Sequence, residues 1–276
     1  MKSYRKSMPQ ETIYKGLEKR MILVVEDVEM NQYLARHILE SWGCIVDIAE
    51  NGKIAVEKVE QNNFDLVLMD IQMPVMDGME ATKLIRGLTD QLKAHMPIVA
   101  LTANALRGDS DIYIKAGMND CLPKPFQEQA LFNTVLKNIK KANASIPSDT
   151  PKTEIQLPVM ETKKMRYDLS MVESISGGDK SFIEKMLNLF LDTVPASLVE
   201  IKSASDKKQW PELSKLAHKL KSTVDSMGIA ELKQDIRIIE SVGKSGGNAD
   251  ELPTLVDKVI LAMKEIMTDI KKDYTL

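Results

Sequence analysis

Between Met21 and about Lys141 the chain alternates short apolar runs with stretches of helical period, which is how a parallel sheet wrapped by helices reads in sequence. Five runs predict strands: Met21 to Val25, Cys44 to Ile48, Phe64 to Met69, Pro97 to Leu101 and Asp120 to Leu122. The first, third and fourth are almost continuously apolar, as central strands covered on both faces must be. Residues 21–141 are therefore expected to form an α/β unit, a doubly wound five-stranded parallel sheet, preceded by a basic extension over residues 1–20.

Beyond it the pattern dissolves. Residues 142–164, ANASIPSDTPKTEIQLPVMETKK, are rich in Pro, Ser, Thr and Lys without sustained period, and read as a flexible linker. From 165 to 276 only helical periods follow, among them Phe182, Ile183, Met186, Leu187 and Phe190, then Leu213, Leu216, Ala217 and Leu220. Leu232, Ile236 and Ile239 form the next stripe, and Leu255, Val256, Val259, Met263, Ile266 and Ile270 the last. Breaks at Gly177-Gly178-Asp179, Gly228 and Gly246-Gly247-Asn248 suit caps and turns, so an all-α antiparallel four-helix bundle is expected. A chain of 276 residues has room for both cores.

Charge and composition narrow the partners. A formal charge of -3, evenly spread, points away from nucleic acid and from anionic membranes. Apolar runs such as Met21 to Val25 fall far short of the roughly 20 residues a membrane span requires. The first twenty residues lack the apolar stretch of a secretory signal, which predicts a cytoplasmic location. Cys44 and Cys121 are too few for a disulfide framework or a zinc site and read as buried thiols, while the 17 Met suit core filling or an adaptable docking surface.

In an open parallel sheet, ligands bind beyond the carboxyl ends of the strands, where the winding direction reverses. Glu26 and Asp27 follow the first strand, Asp70 ends the third, Thr102 the fourth, and Lys124 follows the fifth. Two carboxylates about 4 Å apart repel by about 4 kcal/mol at an effective dielectric of 20, so three gathered together call for a cation or a shifted protonation. Hard oxygen donors in a cleft favour Mg²⁺, which accepts one or two carboxylates and a phosphoryl oxygen. Asp70 is then the candidate nucleophile in phosphoryl transfer, with Thr102 and Lys124 holding the other phosphoryl oxygens.

The motifs ILVVED, FDLVLMDIQMPVMDG, PIVALTANA and GMNDCLPKPF resemble the flavodoxin-like receiver domain of two-component response regulators, especially those in hybrid kinases. The resemblance spans about Met21 to Lys141. It implies phosphorylation of Asp70, Mg²⁺ held by Asp27, Asp70 and the Gln72 carbonyl with Glu26 acting directly or through water, and phosphoryl contacts from Thr102, Ala103 and Lys124. It also implies a cis bond between Lys124 and Pro125. One position departs: Cys121 stands where the family often carries an aromatic switch residue.

A second candidate lies on the helix expected from about Gln209 to Met227. Its stripe of Leu213, Leu216, Ala217, Leu220 and Val224 faces the bundle, and His218 falls beside that stripe, towards solvent. Lys221 and Ser222, at i+3 and i+4, are its neighbours. An exposed imidazole offers a nucleophilic nitrogen, with Lys221, Lys215 and Lys219 offsetting phosphoryl charge and small Ser222 leaving room for a docking partner. The run AHKLKSTVDSMG resembles the histidine-containing phosphotransfer domain, whose signature is His, any residue, Leu, Lys, Gly; Ser222 takes the place of the glycine. That resemblance spans about Met165 to Leu276 and implies phosphorylation of His218 with Lys221 in contact. His37 and His95 have no acidic or cysteine partners at metal-ligand spacing and read as surface or boundary residues.

Together these features predict a cytoplasmic phosphorelay protein that needs Mg²⁺. Its expected partners are a histidine kinase and an upstream or downstream receiver, with the phosphoryl group passing between Asp70 and His218 in either direction. A flexible 142–164 linker would span ~25–30 Å and give roughly millimolar effective concentration, so transfer within one chain is feasible. With no Walker loop and no paired glycine boxes after a dimerisation histidine, it is expected to be a phosphocarrier and not an ATP-dependent enzyme. The alternatives are the receiver and phosphotransfer end of a hybrid sensor kinase, an interaction scaffold, or an aspartyl phosphatase. The last would want an acid two residues after the nucleophile, where Gln72 stands.

Overall fold

A computed structural model describes residues 14–102, 109–143, 166–246 and 249–275 of the chain, which form two compact units. In the first, the five apolar runs are strands β1 (Met21–Val25), β2 (Ile45–Ala49), β3 (Leu66–Asp70), β4 (Ile98–Thr102) and β5 (Asp120–Pro123). All pair in parallel in the order β2-β1-β3-β4-β5. Between and after them come α1 (Glu29–Ser41), α2 (Gly52–Gln61), α3 (Gly78–Arg86), the single turn α4 (Gln91–Ala94), α5 (Asp109–Lys115) and α6 (Glu128–Asn143).

β3 and β4 each run one residue past the apolar pattern. Asp70 pairs with Leu101 and Thr102 with Pro123, because ladder pairing uses backbone groups and is indifferent to a polar side chain. Every residue of β3 and β4 is buried, with Leu23, Val25, Val67, Met69, Ile98 and Ala100 packed against α2 and α3 through Ala55, Val59, Ala81 and Ile85. At about 1.5–3 kcal/mol per large apolar side chain, this burial is the main stabilising term. The chain winds outward from β1 to β2, then crosses back over β1 to β3, so the reversal falls between β1 and β3.

Residues 14–20 belong to this unit although the sequence pattern set them apart as an extension. Leu17 is fully buried, and the Tyr14 ring packs on Trp42 and Phe132 with centroids 5.4 and 4.8 Å away. Residues 1–13 of the extension lie outside the described residues. So does the expected 142–164 linker, except its first two positions, which close α6.

The second unit is helical: α7 (Ser170–Ser176), α8 (Lys180–Asp206), α9 (Trp210–Ser226), α10 (Lys233–Ser245) and α11 (Leu252–Tyr274), with 3-10 turns at Ala230–Leu232 and Ala249–Glu251. α8 packs on α9 and α11, and α10 on the same two, closing the expected four-helix bundle around the predicted apolar stripes. Gly177 ends α7 in the left-handed region at φ +57°, Asp179 caps α8 through Ser181 N–H, and Gly246 ends α10 at φ +67°. Gly228, after α9, could not be replaced: its φ is +60° and a Cβ would stand 2.3 Å from the Asp168 carbonyl oxygen.

Candidate functional site

The carboxyl rim of the sheet gathers the first set of polar residues. Glu26, Asp27 and Asp70 each bring a carboxylate oxygen within 4.8 Å of the others, at the reversal between β1 and β3. Lys124, just past β5, donates from Nζ to Glu26 Oε2 and to Asp70 Oδ2, each at 2.6 Å. The peptide bond between Lys124 and Pro125 is cis, and the Lys124 backbone N–H donates to the Thr102 carbonyl at 2.7 Å. The Gln72 N–H reaches Asp70 Oδ1 at 3.3 Å.

These charges are removed from water: Asp70 is 4% exposed and Glu26 1%. Burial pushes the Asp70 carboxyl up from its ordinary value, Lys124 pulls it down, and the Glu26 and Asp27 charges push it up again, so the balance lies upward. The same two carboxylates hold the Lys124 ammonium firmly charged, against the effect of its own burial. Among the described residues the rim thus sets one buried cation against three carboxylates, a deficit of positive charge that a hard divalent ion fits.

The entry of α3 defines the back of the site. Asp77 caps that helix by accepting from the Glu80 N–H at 2.8 Å, and Gly78 passes so close to β3 that a Cβ would lie 2.0 Å from the Asp70 carbonyl oxygen. The glycine of the DIQMPVMDG run is there for that approach.

Thr102, buried at the end of β4, has its hydroxyl 3.0 Å from the phenol oxygen of Tyr113 on α5. No sequence pattern linked those two positions. The departure noted at Cys121 is therefore accompanied by an aromatic hydroxyl reaching Thr102 from a different element. Ala103 lies outside the described residues. Cys44 is buried, with desolvation pushing its thiol up to about 12, whereas Cys121 is only partly buried, its Sγ 3.5 Å from Ser110 Oγ, which corrects the expectation of a second buried thiol.

The second set sits on α9, with Leu213, Ala217, Leu220 and Val224 buried as the stripe requires and Leu216 partly so. His218 is not openly exposed, as its place beside the stripe suggested: its side chain keeps 13% of its accessible surface. The cause is Glu240 of α10, whose Oε1 lies 2.6 Å from His218 Nδ1 and whose Oε2 accepts from Lys221 Nζ at 2.6 Å. Lys221 is accordingly buried and ion-paired, and Ser222 is buried too, so neither presents the open face the sequence led us to expect. Burial pushes the Glu240 carboxyl up, but the hydrogen bonds and charges of His218 and Lys221 outweigh it and hold it at about 2.

Sequence reasoning missed Glu240, and one signal was available. It follows Ile239 and stands at i+4 from Ile236, a charged residue bordering an apolar stripe that buries Ile236, Ile239 and Gly243. Lys215 is exposed, 4.0 Å from Glu212, and Lys219 partly exposed. His95 is exposed and His37 intermediate, as expected.

Comparison with known proteins agrees with this division. A family model for the response regulator receiver domain matches residues 22–136, and one for the Hpt domain matches residues 185–272. The signal transduction histidine-protein kinase BarA of Escherichia coli K12 is 29% identical over 251 residues, 91% of this chain and 27% of BarA. The aerobic respiration control sensor protein ArcB of the same strain is 32% identical over 260 residues, 91% of this chain and 30% of ArcB. The chain thus spans less than a third of these relatives. Among solved structures, the receiver domain of a Pseudomonas aeruginosa sensor histidine kinase, with magnesium ion coordinated in its active site cleft, is 40% identical. That match covers 44% of this chain and 98% of that one, with a TM-score of 0.41. Among the described residues no helix is long and apolar enough to cross a membrane.

Proposed function

This chain carries a response regulator receiver domain followed by an Hpt domain, and from that premise we propose that it is a phosphorelay protein in which Asp70 and His218 each carry the phosphoryl group. The observation that carries the reading is the convergence of Glu26, Asp27 and Asp70 within 4.8 Å, with Lys124 Nζ 2.6 Å from Asp70. A purely structural ion pair would need one carboxylate, not three.

Asp70 is the nucleophile. Its carboxylate oxygen attacks the phosphorus of the donor kinase's phosphohistidine, the O–P bond forming as the N–P bond breaks and the imidazole leaves with the electron pair, while Lys124 and the Thr102 hydroxyl hold equatorial oxygens and Gln72 and Gly78 keep the β3 terminus in position. Glu26, Asp27, Asp70 and the Gln72 carbonyl are the groups that would hold Mg²⁺, which when bound supplies positive charge against the phosphoryl oxygens. Lys124 exchanges part of its pairing with Asp70 for the phosphoryl group, because the ester oxygen of an acyl phosphate is a weaker acceptor than a carboxylate. His218 then takes the group or returns it, with a histidine kinase and a second receiver as external partners in the cytoplasm. On this reading the chain is a carrier that uses no ATP, and the same residues would serve at the end of a hybrid sensor kinase.

The test is labelling by a small acyl phosphate in Mg²⁺, with the wild type compared to Asp70→Asn and His218→Gln. Base-labile label lost in Asp70→Asn and kept in His218→Gln supports the assignment; equal base-labile label in Asp70→Asn would overturn it.

A further inference from the structure

We infer that Tyr113 is a positioning residue for phosphoryl transfer at Asp70: its phenol, reaching in from α5, donates to the Thr102 hydroxyl and so directs the Thr102 hydrogen at the phosphoryl oxygens. Resting on the reading of Asp70 as the phosphoryl acceptor, this adds to the rim a residue that no strand end supplies.

Hydrogen counting sets the direction of the contact. Thr102 Oγ and the Tyr113 phenol oxygen lie 3.0 Å apart, and each hydroxyl has a single hydrogen to give. Phosphoryl oxygens only accept, so a Thr102 hydroxyl that holds one of them has its hydrogen committed there. The contact between Thr102 and Tyr113 then survives only with the phenol as donor. A relay results, from the Tyr113 O–H to Thr102 Oγ and from the Thr102 O–H to a phosphoryl oxygen, and each bond polarises the other.

That relay controls the freedom Thr102 has left. Its backbone is fixed by ladder pairing with Pro123 and by the Lys124 N–H, which donates to its carbonyl at 2.7 Å. What remains is rotation about the Cα–Cβ bond, with its three staggered wells, and rotation of the hydroxyl itself. A partner 3.0 Å from Oγ selects one arrangement before a phosphoryl group arrives. As the Asp70 oxygen bonds to phosphorus and the donor leaves with the electron pair of its own bond, Thr102 meets an equatorial oxygen with its hydrogen already aimed, and no proton changes owner.

Tyr113 is itself held in place. It packs, with Cys121, against the apolar core of the receiver unit. Its carbonyl accepts from the Met118 N–H at 3.1 Å where the chain leaves α5 through Gly117, whose φ is +101°. Arg86 of α3 fastens that turn, donating from Nε to the Gly117 carbonyl at 2.7 Å and from a terminal nitrogen to Asn119 Oδ1 at 2.8 Å. The helix that enters behind Asp70 therefore also anchors the turn that carries Tyr113. Cys121 does not supply such a donor: a thiol donates weakly, and its Sγ lies 3.5 Å from Ser110 Oγ.

The test times the appearance of base-labile label on the full chain, loaded by a small acyl phosphate in Mg²⁺, in the wild type, Tyr113→Phe, Thr102→Ala and the double variant. Phenylalanine keeps the ring and removes only the hydroxyl, and thermal melting checks that the packing survives. Tyr113→Phe should slow labelling roughly 3- to 10-fold, the range that one hydrogen bond sets. Thr102→Ala should slow it at least as much and the double variant no further, because a phenol acting through Thr102 has nothing to act on once that hydroxyl is gone. Labelling of Tyr113→Phe at the wild-type rate overturns the inference. So does a double variant slower than Thr102→Ala by the full factor of Tyr113→Phe, since a phenol that merely braces α5 would slow labelling whether or not Thr102 were present. A wild type that takes no label on Asp70 overturns the carrier reading and this role with it, whereas either of the other failures leaves the carrier reading standing.

Discussion

Lys124 Nζ lies 2.6 Å from Asp70 Oδ2, so the proposed nucleophile is already engaged by a buried ammonium that Glu26 shares. Two carboxylates held by one cation, with a third beside them, make a site whose stability depends on that cation.

Replacing Lys124 by Met should accordingly be costly. Removing one partner of a buried pair leaves uncompensated charge, worth about 3–5 kcal/mol, and two carboxylates would be stranded here. Urea denaturation in EDTA should find a loss of that order, shrinking as Mg²⁺ is added. A variant as stable as the wild type would show that the pair contributes nothing.

The acidic cluster itself predicts stabilisation by divalent ions. A ligand that binds only the folded state at 100 times its Kd adds about 2.7 kcal/mol, so the melting temperature of the receiver unit should rise with Mg²⁺. Asp27→Asn should blunt the rise. Identical melting curves in Mg²⁺ and in EDTA would remove the metal from the account.

Gly78→Ala probes the close approach behind Asp70. A Cβ placed 2.0 Å from the Asp70 carbonyl oxygen and 2.9 Å from Met69 Cγ forces α3 away from β3. Overpacking of this kind costs about 1–3 kcal/mol, and Asp70 should also accept phosphate more slowly because its backbone is displaced. Unchanged stability and labelling would mean that the helix entry yields freely.

What could be read in advance follows from where the physics is local. The end of an apolar run marks the end of a buried strand, and parallel topology delivers all strand ends to one rim, so Glu26, Asp27, Asp70, Thr102 and Lys124 were legible together. The glycine breaks between helices were legible for the same reason. Tyr113 and Glu240 were not, because each reaches its partner across a packing interface that no period encodes. His218 misled in degree: a residue beside an apolar stripe is exposed only if the neighbouring helix leaves it so, and α10 brings Glu240 over it. Residues 14–20 carry too short a pattern to announce that Leu17 is core.

Acid should weaken the bundle through Glu240. Its pKa is depressed in the folded state, from an ordinary 4.5 to about 2, so its contribution is fully present above about pH 4.5 and disappears as pH falls towards about 2. The depression corresponds to stability of at most about 3 kcal/mol, less where water screens the pair. Denaturation curves of the wild type and Glu240→Gln should converge across that window; a gap that stays constant would contradict the ionised pairing.

The relay between the two residues is tested most directly by timing the label. After loading with a small acyl phosphate in Mg²⁺, base-labile phosphate on Asp70 should appear first and decline as acid-labile, base-stable phosphate builds on His218. Asp70→Asn should carry neither, and His218→Gln only the first. Phosphohistidine forming at the wild-type rate in Asp70→Asn would contradict the account.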